Sequence, residues 1–155
     1  MMRRKPLSAR EALVRAEELC ARAEHSSGEI RQKLYRWGVG EDDRDAIIES
    51  LERRRFVDDA RFAAAFVRDR VEYAGWGRHK IALALYQKRV DRDIIDAALD
   101  EVDMEHYRER LQELMERKCR SMAAPESYES RTKLYRWAVS RGFEPELVAA
   151  AIRNC

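Results

Sequence analysis

At 155 residues, 45% hydrophobic and 39% charged, with only 6 Gly and 3 Pro, the chain is rich in helix formers and poor in breakers, enough for one domain or a few small stacked units. Its 31 basic and 29 acidic residues nearly cancel, which counts against a pure phosphate binder, where base is in clear excess. No apolar run approaches the roughly 18 residues of a membrane span, and no hydrophobic stretch follows the basic start Met1 to Lys5, so neither a span nor a signal peptide is expected and the cytoplasm is the expected location.

A first helix is expected from Ser8, an N-cap with Glu11 at capping-box spacing, carrying a stripe of Leu13, Ala16, Leu19 and Cys20. Ser26 with Glu29 repeats the signal and opens a second helix through Ile30, Leu34 and Trp37, stopped by Gly38 and Gly40. A third runs from about Asp43 through Ile47, Ile48 and Leu51 to Arg54. The fourth starts at Asp58-Asp59, either of which can accept the free amide hydrogens of a helix start. Phe62, Phe66 and Tyr73 share its apolar face, widened by Ala63 and Val67, and Gly75-Trp76-Gly77 breaks it.

The fifth helix carries Ile81, Leu85 and Tyr86 and ends near Arg89, and Asp91 caps a sixth with Ile94, Ile95, Ala98 and Leu99. A seventh, from about Met104 to Arg120, shows Tyr107, Leu111, Leu114 and Met115. Pro125 and Ser127 precede an eighth with Leu134 and Trp137, ended by Arg141-Gly142. Pro145 fits the first turn of a ninth through Leu147, Val148 and Ile152.

Helices of this length are unstable alone in water, so they must bury their stripes together. A repeat shows how. Arg31-Gln-Lys-Leu-Tyr-Arg-Trp-Gly-Val39 returns as Arg131-Thr-Lys-Leu-Tyr-Arg-Trp-Ala-Val139, with a worn copy at Leu83-Ala-Leu-Tyr-Gln-Lys-Arg-Val90, a period of about 50 residues. The expected fold is all-α, with tandem three-helix units over residues 8–56, 57–101 and 102–155 forming a short curved solenoid. In that register Leu34, Leu85 and Leu134 are core, and Tyr35, Tyr86 and Tyr135 seat the second helices against their neighbours, their hydroxyls seeking polar partners. Trp37 and Trp137 align with Lys88, so that position is expected to be partly exposed.

Base concentrates on the second helices: Arg31, Lys33 and Arg36 in the first unit; Arg78, Lys80, Lys88 and Arg89 in the second; Arg131, Lys133, Arg136 and Arg141 in the third. Each alone can be a solvated, salt-bridged face. Their recurrence suggests a positive strip, able to meet phosphates or an acidic protein groove at fixed spacing.

Chemistry is absent from the pattern. His25, His79 and His106 are scattered, the paired acids Asp42-Asp43 and Asp58-Asp59 sit at helix starts where capping explains them, and no Gly-rich phosphate loop exists. Cys20, Cys119 and Cys155 lack metal-ligand spacing, and Cys20 and Cys119 fall in helical patterns as small core thiols. No catalytic residue, metal or cofactor is expected.

The stretch Phe56-Val-Asp-Asp-Ala-Arg-Phe-Ala63, continued by Phe66-Val-Arg-Asp-Arg70, Gly75-Trp-Gly-Arg-His-Lys-Ile81 and Lys88-Arg-Val-Asp-Arg-Asp-Ile-Ile95, resembles the RecX family of bacterial regulatory proteins acting on the RecA recombinase. With the flanking Lys-Leu-Tyr-Arg-Trp repeats, the resemblance runs from about Ser8 to Ile152. It implies a non-catalytic helical repeat protein, monomeric and not membrane-bound, that binds RecA filaments within the helical groove. It also implies modulation, usually inhibition, of strand exchange, ATP hydrolysis and co-protease activity, with single- or double-stranded DNA as a further partner.

Carried onto this chain, the binding candidates are Arg31, Lys33, Arg36, Arg61, Arg70, Arg78, Lys80, Lys88, Arg89, Arg131, Lys133 and Arg136, and the motif residues are Phe56, Asp58, Asp59, Phe62, Phe66, Gly75, Trp76, Gly77 and Ile81. The implied arrangement is a clamp: the middle unit seats through Asp58-Asp59 and the outer units lay their cations along the filament, with Arg78 and Lys80 in the interface. Two positions depart from the family pattern. Arg89 stands where a glycine is expected, and since a left-handed residue with a side chain costs roughly 1 kcal/mol, a differently shaped turn is expected. Trp76 replaces a smaller residue and is expected to cover a neighbouring unit's core.

Overall fold

The computed structural model describes residues 5–155; Met1 to Arg4, part of the basic start read for targeting, lie outside them. Among the described residues the chain is all-helical. The first unit holds α1 (Ala9–Arg22), α2 (Ser27–Arg36) and α3 (Glu41–Arg53). The second holds α4 (Asp59–Asp69), a π-helical turn (Arg70–Ala74), α5 (Arg78–Gln87) and α6 (Arg92–Asp100). The third holds α7 (Met104–Arg120), α8 (Tyr128–Ser140) and α9 (Pro145–Ile152). None of these helices is long and apolar enough to cross a membrane.

The caps fall where local chemistry puts them. Ser8 accepts the Glu11 amide, Ser26 and Glu29 form a full capping box, Asp58 accepts the Arg61 amide and Ser127 that of Ser130. The acids Asp42 and Asp43 do not cap α3: Gly40 is its N-cap, and Glu41, Asp42 and Asp43 occupy the first turn, where the helix dipole favours anions. Asp91 is the N-cap residue of α6, but its side chain bonds no amide there.

Each second helix ends in the same Schellman cap. The amide of Val39 reaches Leu34 O, that of Val90 reaches Leu85 O, and that of Phe143 reaches Ala138 O, each following a left-handed residue. Those left-handed residues are Gly38, Arg89 and Gly142. The turn at Arg89 therefore keeps the glycine geometry, with φ 60°, contrary to the different shape expected from the sequence. Arg55 (φ 61°) does the same after α3. Both arginines accept the strain because the buried Val90 and Val57 that follow, and the cap bonds, fix the path of the chain.

The caps also reset the repeat. Counted from them, Gly38 aligns with Gly142, so the Lys-Leu-Tyr-Arg-Trp copy in α8 sits one turn further from its cap than the copy in α2. Leu34, Leu85 and Leu134 are all buried, as their spacing requires. The tyrosines do not seat the helices: Tyr35 and Tyr86 are exposed, and only Tyr135, a turn deeper in its helix, is half-buried. Tyr73 also leaves its expected place on the α4 core face, at 85% exposure. The π-turn slows the rotation per residue, so Val71 turns inward and Tyr73 outward.

Two cores result. Ala12, Ala16, Ile30, Leu34, Val39, Ile47, Ile48, Leu51 and Val57 fill the first unit. A second core runs without a break through units two and three, from Phe62 and Phe66 through Ile81, Leu85 and Tyr107 to Leu134, Phe143 and Val148. Trp76 packs edge-on to Phe66 against this shared core, as expected.

Candidate functional site

The second helices of the three units meet end to end, and this decides which of their cations are used inside the protein. Each joint lays the N-terminus of one second helix on the capped C-terminus of the next. At the first, Ser26 Oγ donates to Lys88 O at 2.8 Å and Gly28 lies flat against Arg89. At the second, the amides of Gly77 and His79 donate to Arg141 O and Gly142 O at 2.8 and 3.0 Å. A Cβ on Gly28 would collide with Lys88 and Arg89, and one on Gly77 with the Gly142 backbone. Positive helix starts thus face negative helix ends, the favourable polarity.

Much of the base read from the sequence is used inside the protein. Lys88 pairs with Glu29 across the first joint at 3.1 Å, and Arg61 pairs with Glu24 at 3.0 Å. Asp59, expected to seat a partner, accepts instead from the Ser27 amide at 2.7 Å and from its hydroxyl. At the second joint Arg78 pairs with Glu144 at 3.0 Å, while the buried Tyr107 hydroxyl accepts the Arg78 amide and donates to Glu144. Arg141 donates to the carbonyls of Ala74 and Gly75. Arg70 lies over Phe66 and Trp76, with Lys80 on Trp76 at 4.3 Å, and Arg31 pairs with Asp45.

Among the described residues, Lys33, Arg36, Arg89, Arg131, Lys133 and Arg136 enter no ion pair. In the middle unit the positions matching Lys33 and Arg36 are Ala84 and Gln87. The available charge therefore sits on α2 and α8, with Arg89 between them. Trp37, Lys88 and Trp137 are partly exposed as expected, although counted from the caps Trp137 sits one turn earlier than the other two, and the two indoles carry cations, Arg15 on one and Lys118 and Arg141 on the other.

Two of the shifted groups, Glu29 and Tyr107, belong to the joints. Burial pushes Glu29 up, but the Ser26 amide and Lys88 outweigh it and hold its carboxyl below the usual range. Burial and the Glu144 hydrogen bond push the Tyr107 phenol far up. The His106–Glu72 hydrogen bond raises the imidazole and lowers the carboxylate. Cys20 and Cys119 are half-buried rather than core, and burial raises the Cys20 thiol. No group of three metal-ligating side chains converges among the described residues.

The sequence pattern marks Gly77 only as a helix break and does not single out Gly28. A glycine inside or just before the first turn of a second helix, in two successive units, was the available signal.

Three family models match in chain order: RecX, first three-helix domain, over residues 12–51; second, over 58–99; third, over 105–152. The regulatory protein RecX of Xanthomonas oryzae pv. oryzae is 33% identical over 139 residues, 90% of this chain and 85% of that protein. That of Clostridium botulinum is 30% identical over 150 residues, covering 96% and 68%. The crystal structure of RecX from Lactobacillus salivarius has a TM-score of 0.86 at 21% identity, over 94% of this chain and 95% of that one, a likeness of fold.

Proposed function

The chain belongs to the RecX family, and from that premise we propose that it is a regulatory protein of the cytoplasm that binds RecA–DNA filaments and inhibits their recombinase, ATPase and co-protease activities. The observation that supports a binding role is the end-to-end row of second helices, with unpaired cations on α2 and α8 at its two ends, Arg89 between them, and Arg78 and Lys88 committed to the joints. A filament repeats its sites, so two separated basic ends on one semi-rigid body can engage together and gain avidity. The relatives carry the name of regulatory proteins rather than enzymes.

The test is titration of nucleotide-assembled RecA filaments with wild type and with K33E/R36E/K133E/R136E at fixed salt. Affinity should fall at least tenfold while helicity stays the same; unchanged affinity overturns the assignment of these residues. A second reading, a general nucleic-acid-binding module, draws on the same cations but meets the near-neutral total charge. A salt series on DNA alone separates them: tight binding with a steep slope favours the DNA module.

A further inference from the structure

Away from α5 and its row lies a second surface of opposite sign. The C-terminal ends of α4 and α6, the π-turn and the start of α7 enclose a groove of about 570 Å³, within the ~300–1,000 Å³ range that admits a few side chains of a ligand. Its floor is apolar, made by Val67, Val71, Ala98 and Val102. Its rim carries the carboxylates of Asp69, Glu72, Glu101 and Asp103 against the cations Arg68 and His106. Glu72 is bonded to His106 and Asp103 caps α7 by accepting the amides of Glu105 and His106, which leaves Asp69 and Glu101 as the unengaged carboxylates of the rim.

The backbone here is irregular in a way that serves the groove. The π-turn at Arg70–Ala74 sets Val71 into the floor and stands Tyr73 on the rim at 85% exposure. Such turns are rare and concentrate at functional sites, and an exposed tyrosine beside an apolar floor has the character of an interface anchor. No residue of α5 lines the groove.

We propose that this groove docks a short basic amphipathic segment of a partner protein, its apolar side chains on the valine floor and its Lys or Arg side chains on the carboxylate rim. Floor size limits the occupant to a peptide segment, and the excess of rim carboxylates selects a basic one. The proposal is separate from the filament reading, which uses α2 and α8.

The experiment is fluorescence anisotropy with a labelled helical peptide of leucine and lysine, and a leucine–glutamate peptide as counterpart. The variants are Y73A, D69K/E101K and, for an equal charge change elsewhere, E18K/E49K; all alter exposed residues, and circular dichroism checks folding. Expected is binding of the lysine peptide, weakened at least tenfold by Y73A and by D69K/E101K but less than twofold by E18K/E49K, with no binding of the glutamate peptide. Equal binding by all variants, or equal binding of both peptides, overturns it. So does a wild-type dimer in sedimentation that Y73A dissociates, which would make a second copy the occupant.

Discussion

Arg89 shows how a single residue can obey the fold against its own preference. Its left-handed φ of 60° costs roughly 1–2 kcal/mol for an L-residue, part of which a glycine returns as unfolded-state entropy. R89G should therefore stabilise by about 1 kcal/mol in a denaturation series. Asp59 teaches the complementary lesson. Its spacing at a helix start correctly signals an N-terminus, yet Asp58 takes the cap and leaves Asp59 to hold Ser27 of the preceding unit. D59A strands the Ser27 amide and should cost about 1–3 kcal/mol, read as a lower urea midpoint with α4 intact. A midpoint within error of wild type would remove that latch. The buried leucines were legible because their spacing alone decides their face. Tyr73 was not, because the π-turn that rotates it leaves no mark in periodicity.

At the scale of elements, the joints decide the architecture. Helix start lies on helix cap with no room for a side chain, so G77A must push α5 away from Gly142. Overpacking of this kind costs about 1–3 kcal/mol, and thermal melting should show it. Y107F removes the hydroxyl that joins the α5 amide to Glu144; a loss of about 1–3 kcal/mol is expected, with Arg78 and Glu144 more mobile. Because Arg78 is part of that network and Lys80 lies on Trp76, charge reversal at either reports on the packing here first, and Lys33 and Lys133 are the cleaner probes of a partner.

Glu29 gives the first joint a pH dependence. Its folded pKa lies below the ordinary 4.5, so its contribution is complete above that value and is lost as pH falls through the lower folded value. His106 runs the other way: raised above 6.5, it stabilises the π-turn contact fully below 6.5 and loses it as pH rises past the folded value. Its partner Glu72, lowered from 4.5, needs pH above that. The contact is therefore complete between about 4.5 and 6.5, and in an NMR titration the His106 imidazole should titrate above its ordinary value in wild type and return toward it in E72Q.

Over the whole molecule the three repeats are unequal. Units two and three share one core, whereas unit one keeps its own and meets unit two through Ser26, Ser27, Gly28, Glu29, Asp59 and Lys88. Polar joints open more readily than continuous apolar cores. Native-state hydrogen exchange should show unit one opening separately while units two and three open together, and below pH 4.5 the separation should widen as Glu29 protonates. Uniform opening of all three would contradict it. The clamp proposed for filament binding has its compliant joint at the same place.

Composition, helical spacing, capping serines and a returning motif determined the all-helical class, the nine α-helices of the described residues and the three-unit repeat by themselves, since helices and caps are set by neighbours within a few turns and the repeat is written in the chain. Only the folded chain decided which cations stay free, where Tyr73 points and why Gly28 and Gly77 stand where they do. Tyr73 follows a π-turn that periodicity does not mark; the joints depend on groups 62 or 66 residues apart coming into contact, and no local pattern records what a side chain will meet across that distance.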